Sequence, residues 1–258
     1  MSSSQLLVFD FDGVILDGMQ EYWSSARQAC LMLLEDQADS ITLPKEIPNE
    51  FKLLRPLVHH GWEMVVIAAE LKNTHSQIYK KGIQEFSHQY PRYCKQILAQ
   101  HGWNPSQLQQ ALEEVRKKAL KHNPEVWLAQ HQPFPGVLKR LECLLSEGIN
   151  YVVLTTKGAL FTAELLKRYR LKPYLLYGHE AGSKTEILVE LSRKYTLRGF
   201  IEDRRATLEK TIAVPQLKSL PCYLANWGYL KPNDHKDLPQ EIQLLSLKDL
   251  ANPLAMWP

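Results

Sequence analysis

The chain has 258 residues, 45% of them hydrophobic and 23% charged, with a formal net charge of +3 at pH 7. That is enough apolar material for one large domain, or for a core domain carrying a smaller one. The mild, scattered positive charge gives no reason to expect nucleic acid or a membrane surface as a partner. No apolar run approaches the roughly 20 residues of a membrane span. The four cysteines, Cys30, Cys94, Cys143 and Cys222, are too far apart for a zinc or C-x-x-C site. Free thiols in a reducing, cytoplasmic setting are expected.

The opening "MSSSQLLVFDFDG" lacks a basic start and meets acid after a few apolar residues, so it does not read as a signal peptide. Leu6, Leu7, Val8 and Phe9 read as a strand buried on both faces, and Asp10 and Asp12 follow at its end. Burying such a pair is costly unless something cancels its charge. After Asp17 the pattern turns helical. Tyr22, Ala26, Ala29 or Cys30, and Leu33 recur at helical spacing, as core packing. A polar, Pro-containing break, "DQADSITLPKEIPNE", separates this helix from a second mainly helical stretch, "FKLLRPLVHHGWEMVVIAAEL". A third, "PSQLQQALEEVRKKALKH", starts on a proline and lines up Leu108, Ala111, Leu112, Val115 and Ala119.

From Pro135 onward helices and strands alternate. Strands are expected at "NYVVLTT", "PYLLYG", "RGFIED" and "CYLA", with helices between them. This order predicts an α/β fold, a doubly wound, Rossmann-like parallel sheet that the first strand must join. Residues 1–17 and 131–258 form the predicted core domain, and 18–130 an inserted all-helical domain. The tail after Trp227 is Pro-rich and is expected to run over the surface to a short final helix.

In open parallel sheets, ligands bind beyond the carboxyl ends of the strands. The first strand delivers Asp10 and Asp12 there, the second Thr155 and Thr156, and the fourth Glu202 and Asp203. Past the third strand comes Lys184, at a helix start. Carboxylates of this kind suit Mg²⁺ together with a substrate phosphate. Thr155 can donate to a phosphate oxygen, Lys184 can offset its charge, Asp10 can attack phosphorus and Asp12 can move protons. Blander roles exist for each: a turn and helix cap for Asp10 and Asp12, a solvated helix start for Lys184, a pairing with Arg204 or Arg205 for Glu202; for Thr156 and Lys157 the bland role and a phosphate contact weigh evenly.

These segments resemble the signatures of the haloacid dehalogenase superfamily. "DFDGVILD" is similar to its first signature, "VVLTTK" to its second, "GSKTEIL" to the Lys-bearing third and "GFIEDR" to the acidic fourth. "PFPGVLKRL" and "LANWGYL" resemble segments of its phosphoglycolate phosphatase-like members, and the helical insertion falls where that family carries a cap. The resemblance implies Asp10 as nucleophile and Asp12 as general acid and base. It also implies Mg²⁺ held by Asp10, the main-chain carbonyl of Asp12, and Asp203. Asp at position 12 favours phosphate transfer over dehalogenation. Related phosphatases often carry a further acid at the position of Thr207, so Glu202 becomes the candidate to supply it.

The expected function is a Mg²⁺-dependent phosphatase for a small phosphorylated metabolite, with phosphoglycolate the first substrate to try and sugar phosphates or nucleotides open. A phosphomutase with the same parts is the alternative, and a non-catalytic binding protein a further one. An enzyme of nucleic-acid phosphodiesters would want a basic groove, which the scattered charge does not supply. In the helical insertion Arg55, near His59, His60 and Glu63, is the candidate for reading an acidic leaving group; a surface turn at "HHGWE" is the competing explanation. His75, His88, His101, His122 and His131 show no ligand spacing. The sequence leaves the oligomeric state open.

Overall fold

The computed structural model describes residues 4–34 and 42–258. Residues 1–3 of the opening segment and 35–41, which include the start of the predicted break, lie outside the described residues. The chain divides into two compact units, Met1–Asp17 with Gln132–Pro258, and Gly18–His131.

The first unit is built on a six-stranded sheet with every described pairing parallel. Its strands are β1 (Gln5–Phe9), β4 (Ile149–Leu154), β5 (Leu175–Tyr177), β6 (Thr196–Glu202), β7 (Cys222–Ala225) and β8 (Ile242–Leu245). A two-residue antiparallel ribbon pairs β2 (Leu16–Asp17) with β3 (Gln132–Pro133). The sheet order is β5-β4-β1-β6-β7-β8. Strand β1 is hydrogen-bonded on both edges, so its apolar run Leu6–Phe9 is wholly buried. Leu6 and Val8 join Val152, Leu154, Phe200 and Leu224 in one cluster.

This order reverses direction at β1. The chain winds from β1 to β4 and β5 on one side, then crosses to β6, β7 and β8 on the other. The switch point between β1 and β6 is where a doubly wound sheet opens a crevice. In register, Phe9 pairs with Ile201, which puts Asp10 beside Glu202. The Asp10 N–H donates to the Ile201 carbonyl at 2.8 Å.

One expectation needs correction. The tail does not simply run over the surface, because Ile242–Leu245 adds to the sheet edge as β8. Only Ile242 and Leu245 of this strand are buried, so it shows no two-residue alternation. Helix Leu247–Leu250 then follows, started by a capping box between Ser246 and Asp249. The second stretch is mainly helical, as expected, and is built in pieces. Helix Asn49–Leu54 gives way to a 3₁₀ turn at Arg55–Leu57, and a new helix runs from Glu63 to Lys72. Pro56 cannot continue the hydrogen-bond ladder. The Glu63 carboxylate then accepts from the His59 and His60 N–H groups and the Tyr90 hydroxyl, so "HHGWE" is a turn.

The second unit is all helical among its described residues. A fully buried carboxylate, Glu21, organises its base: Arg116 donates two hydrogen bonds to it at 2.8 and 2.9 Å, Ser25 one at 2.5 Å and the Trp127 indole one at 3.3 Å. The predicted apolar face of Pro105–His122 is the buried one at Leu108, Ala111, Leu112 and Val115, but it also carries Arg116 inward. His131 is fully buried, its ring 4.7 Å from that of Trp127 and its Nδ1 at 3.2 Å from the Trp127 carbonyl, and the unit boundary falls just after it. No described helix is long and apolar enough to cross a membrane.

Candidate active site

The carboxyl edge of the sheet gathers the strand-end residues. Asp10 leaves β1 with only 6% of its surface exposed, and Glu202 and Asp203 at the end of β6 are buried as well. Asp12, half-buried, starts a tight loop in which the Gly13 N–H donates to the Leu16 carbonyl at 2.9 Å. Gly13 has φ +91°, and a Cβ there would lie 1.9 Å from the Asp203 carboxylate. Only glycine lets the loop pass so close to that acid.

Lys184 comes to this edge from beyond β5. Ser183 caps helix Lys184–Lys194: its hydroxyl accepts from the Glu186 N–H, and the Glu186 carboxylate accepts from the Ser183 N–H at 3.0 Å. This capping box fixes Lys184 as the first helical residue. Its Nζ donates to Asp10 at 2.6 Å and to Glu202 at 2.7 Å, bridging the two acids across the switch point. Glu202 turns its other oxygen to the Arg204 N–H at 3.1 Å. Arg205 points elsewhere, to Glu209 and to the Lys236 and Asp237 carbonyls.

Thr155 follows β4 and is buried. Its hydroxyl oxygen accepts from the Lys157 N–H at 3.0 Å, which keeps its own proton available to a ligand oxygen. Thr156, next in the chain, is half-buried. The Lys157 ammonium is buried too and lies 3.4 Å from Asp12. Arg55 belongs to the helical unit, where its guanidinium sits 4.8 Å over the Tyr22 ring. Thr207 is buried on helix Arg205–Ile212, its carbonyl accepting from the Thr211 hydroxyl.

Burial sets the electrostatics here. Desolvation, helped by the Glu202 charge and opposed by Lys184, pushes Asp10 up to about 7. Glu202 is raised for the same reason, with Lys184 again working against it. Burial pulls Lys184 down, but the Asp10 and Glu202 charges overcome it and hold the ammonium above its ordinary range.

Carboxylate oxygens of Asp10, Glu202 and Asp203 all lie within 4.8 Å of one another. Four acids, counting Asp12, face the two ammonium groups of Lys157 and Lys184. Their hard oxygen donors suit a divalent cation. Two more residues belong to this edge: Lys157, an evenly weighed candidate beside Thr156, and Tyr229, which the sequence reading did not single out. Lys157 stands directly after the threonine pair, and its partner Asp12 could not be read from that spacing. Tyr229, in "LANWGYL", donates its backbone N–H to Asp203 at 2.7 Å.

No family model matches the sequence, and no curated protein is detectably similar to it. Solved structures do match. A protein from Bacteroides fragilis, provisionally named a haloacid dehalogenase-like hydrolase, superposes with TM-score 0.60 at 15% identity, covering 95% of this chain and 98% of that one. A provisionally named phosphoglycolate phosphatase from Haemophilus somnus gives 0.58 at 13% identity, covering 94% and 95%. A provisionally named β-phosphoglucomutase from Thermotoga maritima gives 0.54 at 16% identity, covering 96% and 97%. At these identities the likeness is one of fold, and it runs over nearly the whole of each chain. A six-stranded parallel sheet with its switch point at β1, carrying Asp10, Thr155, Lys184 and Asp203 on one edge, has the haloacid dehalogenase-like fold.

Proposed function

We infer that this chain is a Mg²⁺-dependent phosphatase, a phosphoric monoester hydrolase acting on a small phosphorylated metabolite through an aspartyl-phosphate intermediate. The observation that carries this reading is the bridge from Lys184 to Asp10 and Glu202, beside Asp203, at the switch point of the sheet. Asp10 is assigned as the nucleophile and Asp12 as general acid and base, with Lys184, Thr155 and Thr156 receiving the phosphate. Asp10, Asp203 and the main-chain carbonyl of Asp12 would hold the metal, with Glu202 completing the acidic group while it holds Lys184. Bound there, Mg²⁺ would offset the clustered negative charge of acids and phosphate.

In the first step an Asp10 oxygen forms a bond to phosphorus, the bond to the leaving oxygen breaks, and Asp12 gives that oxygen its proton. In the second, water attacks phosphorus, Asp12 takes the water's proton, and the aspartyl–phosphorus bond breaks to release phosphate. Thr155 supports this by presenting a hydroxyl whose oxygen is already held by the Lys157 N–H. Substrate choice is assigned to the helical unit, which brings none of the signature residues, with Arg55 as its candidate reader. The names of the fold neighbours make phosphoglycolate and hexose phosphates the first substrates to screen. The four free thiols fit a reducing, cytoplasmic location.

The test is phosphoenzyme trapping. Asp10→Asn should neither turn over nor acquire a phosphoryl group. Asp12→Asn should lose roughly 10²–10⁴-fold on an alkyl phosphate, the range for losing general acid–base help. Its aspartyl phosphate should accumulate with p-nitrophenyl phosphate, whose leaving group needs no proton, and intact mass after acid quenching reads the adduct. A label on the protein with Asp10 replaced would overturn the assignment. Isomer formed from a hexose phosphate, in place of free phosphate, would make the enzyme a phosphomutase.

A further inference from the structure

The short segment after β7 grips the acidic edge in three places. The Trp227 indole N–H donates to the Val14 carbonyl at 3.0 Å. The Tyr229 backbone N–H donates to Asp203 at 2.7 Å, and the Tyr229 hydroxyl donates to Asp17 at 2.5 Å. Between them Gly228 lies so close that a Cβ would sit 2.3 Å from Cβ of Asp203 and 2.4 Å from the Gly13 carbonyl. Asp203 is thereby enclosed by glycine faces on two sides, Gly13 and Gly228, and held by a hydrogen bond from the same segment. Asp17 is the last residue of the α/β unit before the chain enters the helical one.

One residue therefore fixes two acids, Asp203 through its main chain and Asp17 through its side chain. A carboxylate that binds a metal needs such support, because its orientation must be set before the ion arrives. We propose that Tyr229 is the positioning residue for Asp203, and that its anchor on Asp17 ties the setting of the metal-binding acid to the connection leading out of the α/β unit. This rests on the reading of Asp203 as a metal ligand. The hydroxyl touches neither substrate nor metal in this role. It keeps the Tyr229 backbone seated, so that the N–H stays on the Asp203 oxygen.

The experiment is calorimetric titration of Mg²⁺ and Mn²⁺ into the full chain, well below its melting temperature. Loss of such a supporting partner typically weakens metal binding by roughly 10–100-fold. Tyr229→Phe should fall at the lower end, about 10-fold, and Asp17→Ala should match it. Asp17→Asn retains an oxygen that can accept from the hydroxyl and should stay near wild type. Gly228→Ala should lose binding outright; if it does not fold, Tyr229→Phe and the Asp17 pair carry the test. Unchanged metal affinity in Tyr229→Phe, alongside lost binding in Asp203→Asn, would overturn the proposal, and a lowered melting temperature would then mark Tyr229 as merely structural. Failure of the wild type to bind either ion would instead overturn the reading of Asp203 as a ligand, and this proposal with it.

Discussion

Replacing the nucleophile candidate should make the protein more stable. Asp10 is buried beside Glu202 and is pushed from 3.8 up to about 7, even with Lys184 bonded to it. Between those two values the folded chain holds a proton on this group that the unfolded chain has released. Wild-type stability therefore falls as pH rises through that window, and the loss is complete above about 7. At ~1.4 kcal/mol for each pKa unit, the rise from 3.8 to about 7 makes the ionised carboxylate cost on the order of 4 kcal/mol. Asp10→Asn removes the charge at nearly constant volume and leaves Lys184 its partner Glu202 at 2.7 Å. In urea unfolding with EDTA at about pH 8, the variant should gain stability of that order, with an unchanged m-value. At about pH 4.5 most of the gap should close, because wild-type Asp10 is then protonated. Added Mg²⁺ should also close it at the higher pH, since an ion that binds only the folded wild type stabilises it by mass action. A variant less stable than wild type in alkaline, metal-free buffer would refute the reasoning, and so would a gap indifferent to pH.

Phosphate release should stop in EDTA and return with Mg²⁺; Asp203→Asn should raise the Mg²⁺ concentration needed, whereas Thr207→Ala should leave that titration in place. Arg116→Met should strip the buried Glu21 of its bidentate partner and cost roughly 3–5 kcal/mol in thermal or urea unfolding, with Glu21→Gln in the same chain restoring much of it. Arg55→Ala should raise KM for an anionic metabolite well above its effect on p-nitrophenyl phosphate. Equal losses on both would show that the guanidinium serves only to pack on Tyr22.

The parts of this molecule that were legible in its sequence share one property: parallel-strand geometry translates position along the chain into position in space. Once β1, β4 and β6 are recognised as buried parallel strands, the residues just beyond them must share an edge. Asp10, Thr155, Glu202 and Asp203 could therefore be placed together from short apolar runs. Lys184 needed only the helix start that Ser183 and Glu186 announce. Where periodicity weakens, legibility goes with it. Strand β8 buries only Ile242 and Leu245, and the 3₁₀ turn at Arg55–Leu57 interrupts a stretch whose composition stays helical.

What the sequence could not show is which charge neutralises which. The partner of Glu21 lies 95 residues away, on the apolar face of a helix where Arg116 interrupts an otherwise regular stripe. Tyr229 reaches back 26 residues to Asp203 and 212 to Asp17. Lys157 and Asp12 follow different strands, β4 and β1, and meet only because those strands are neighbours in register. Hydrophobic periodicity reports which face of an element is buried, but a buried ion pair depends on two faces at once. The acids of this site and Lys157 were therefore visible as residues, while the pairing of Lys157 with Asp12, the reach of Tyr229 and the glycines packed on Asp203 became visible only in the fold.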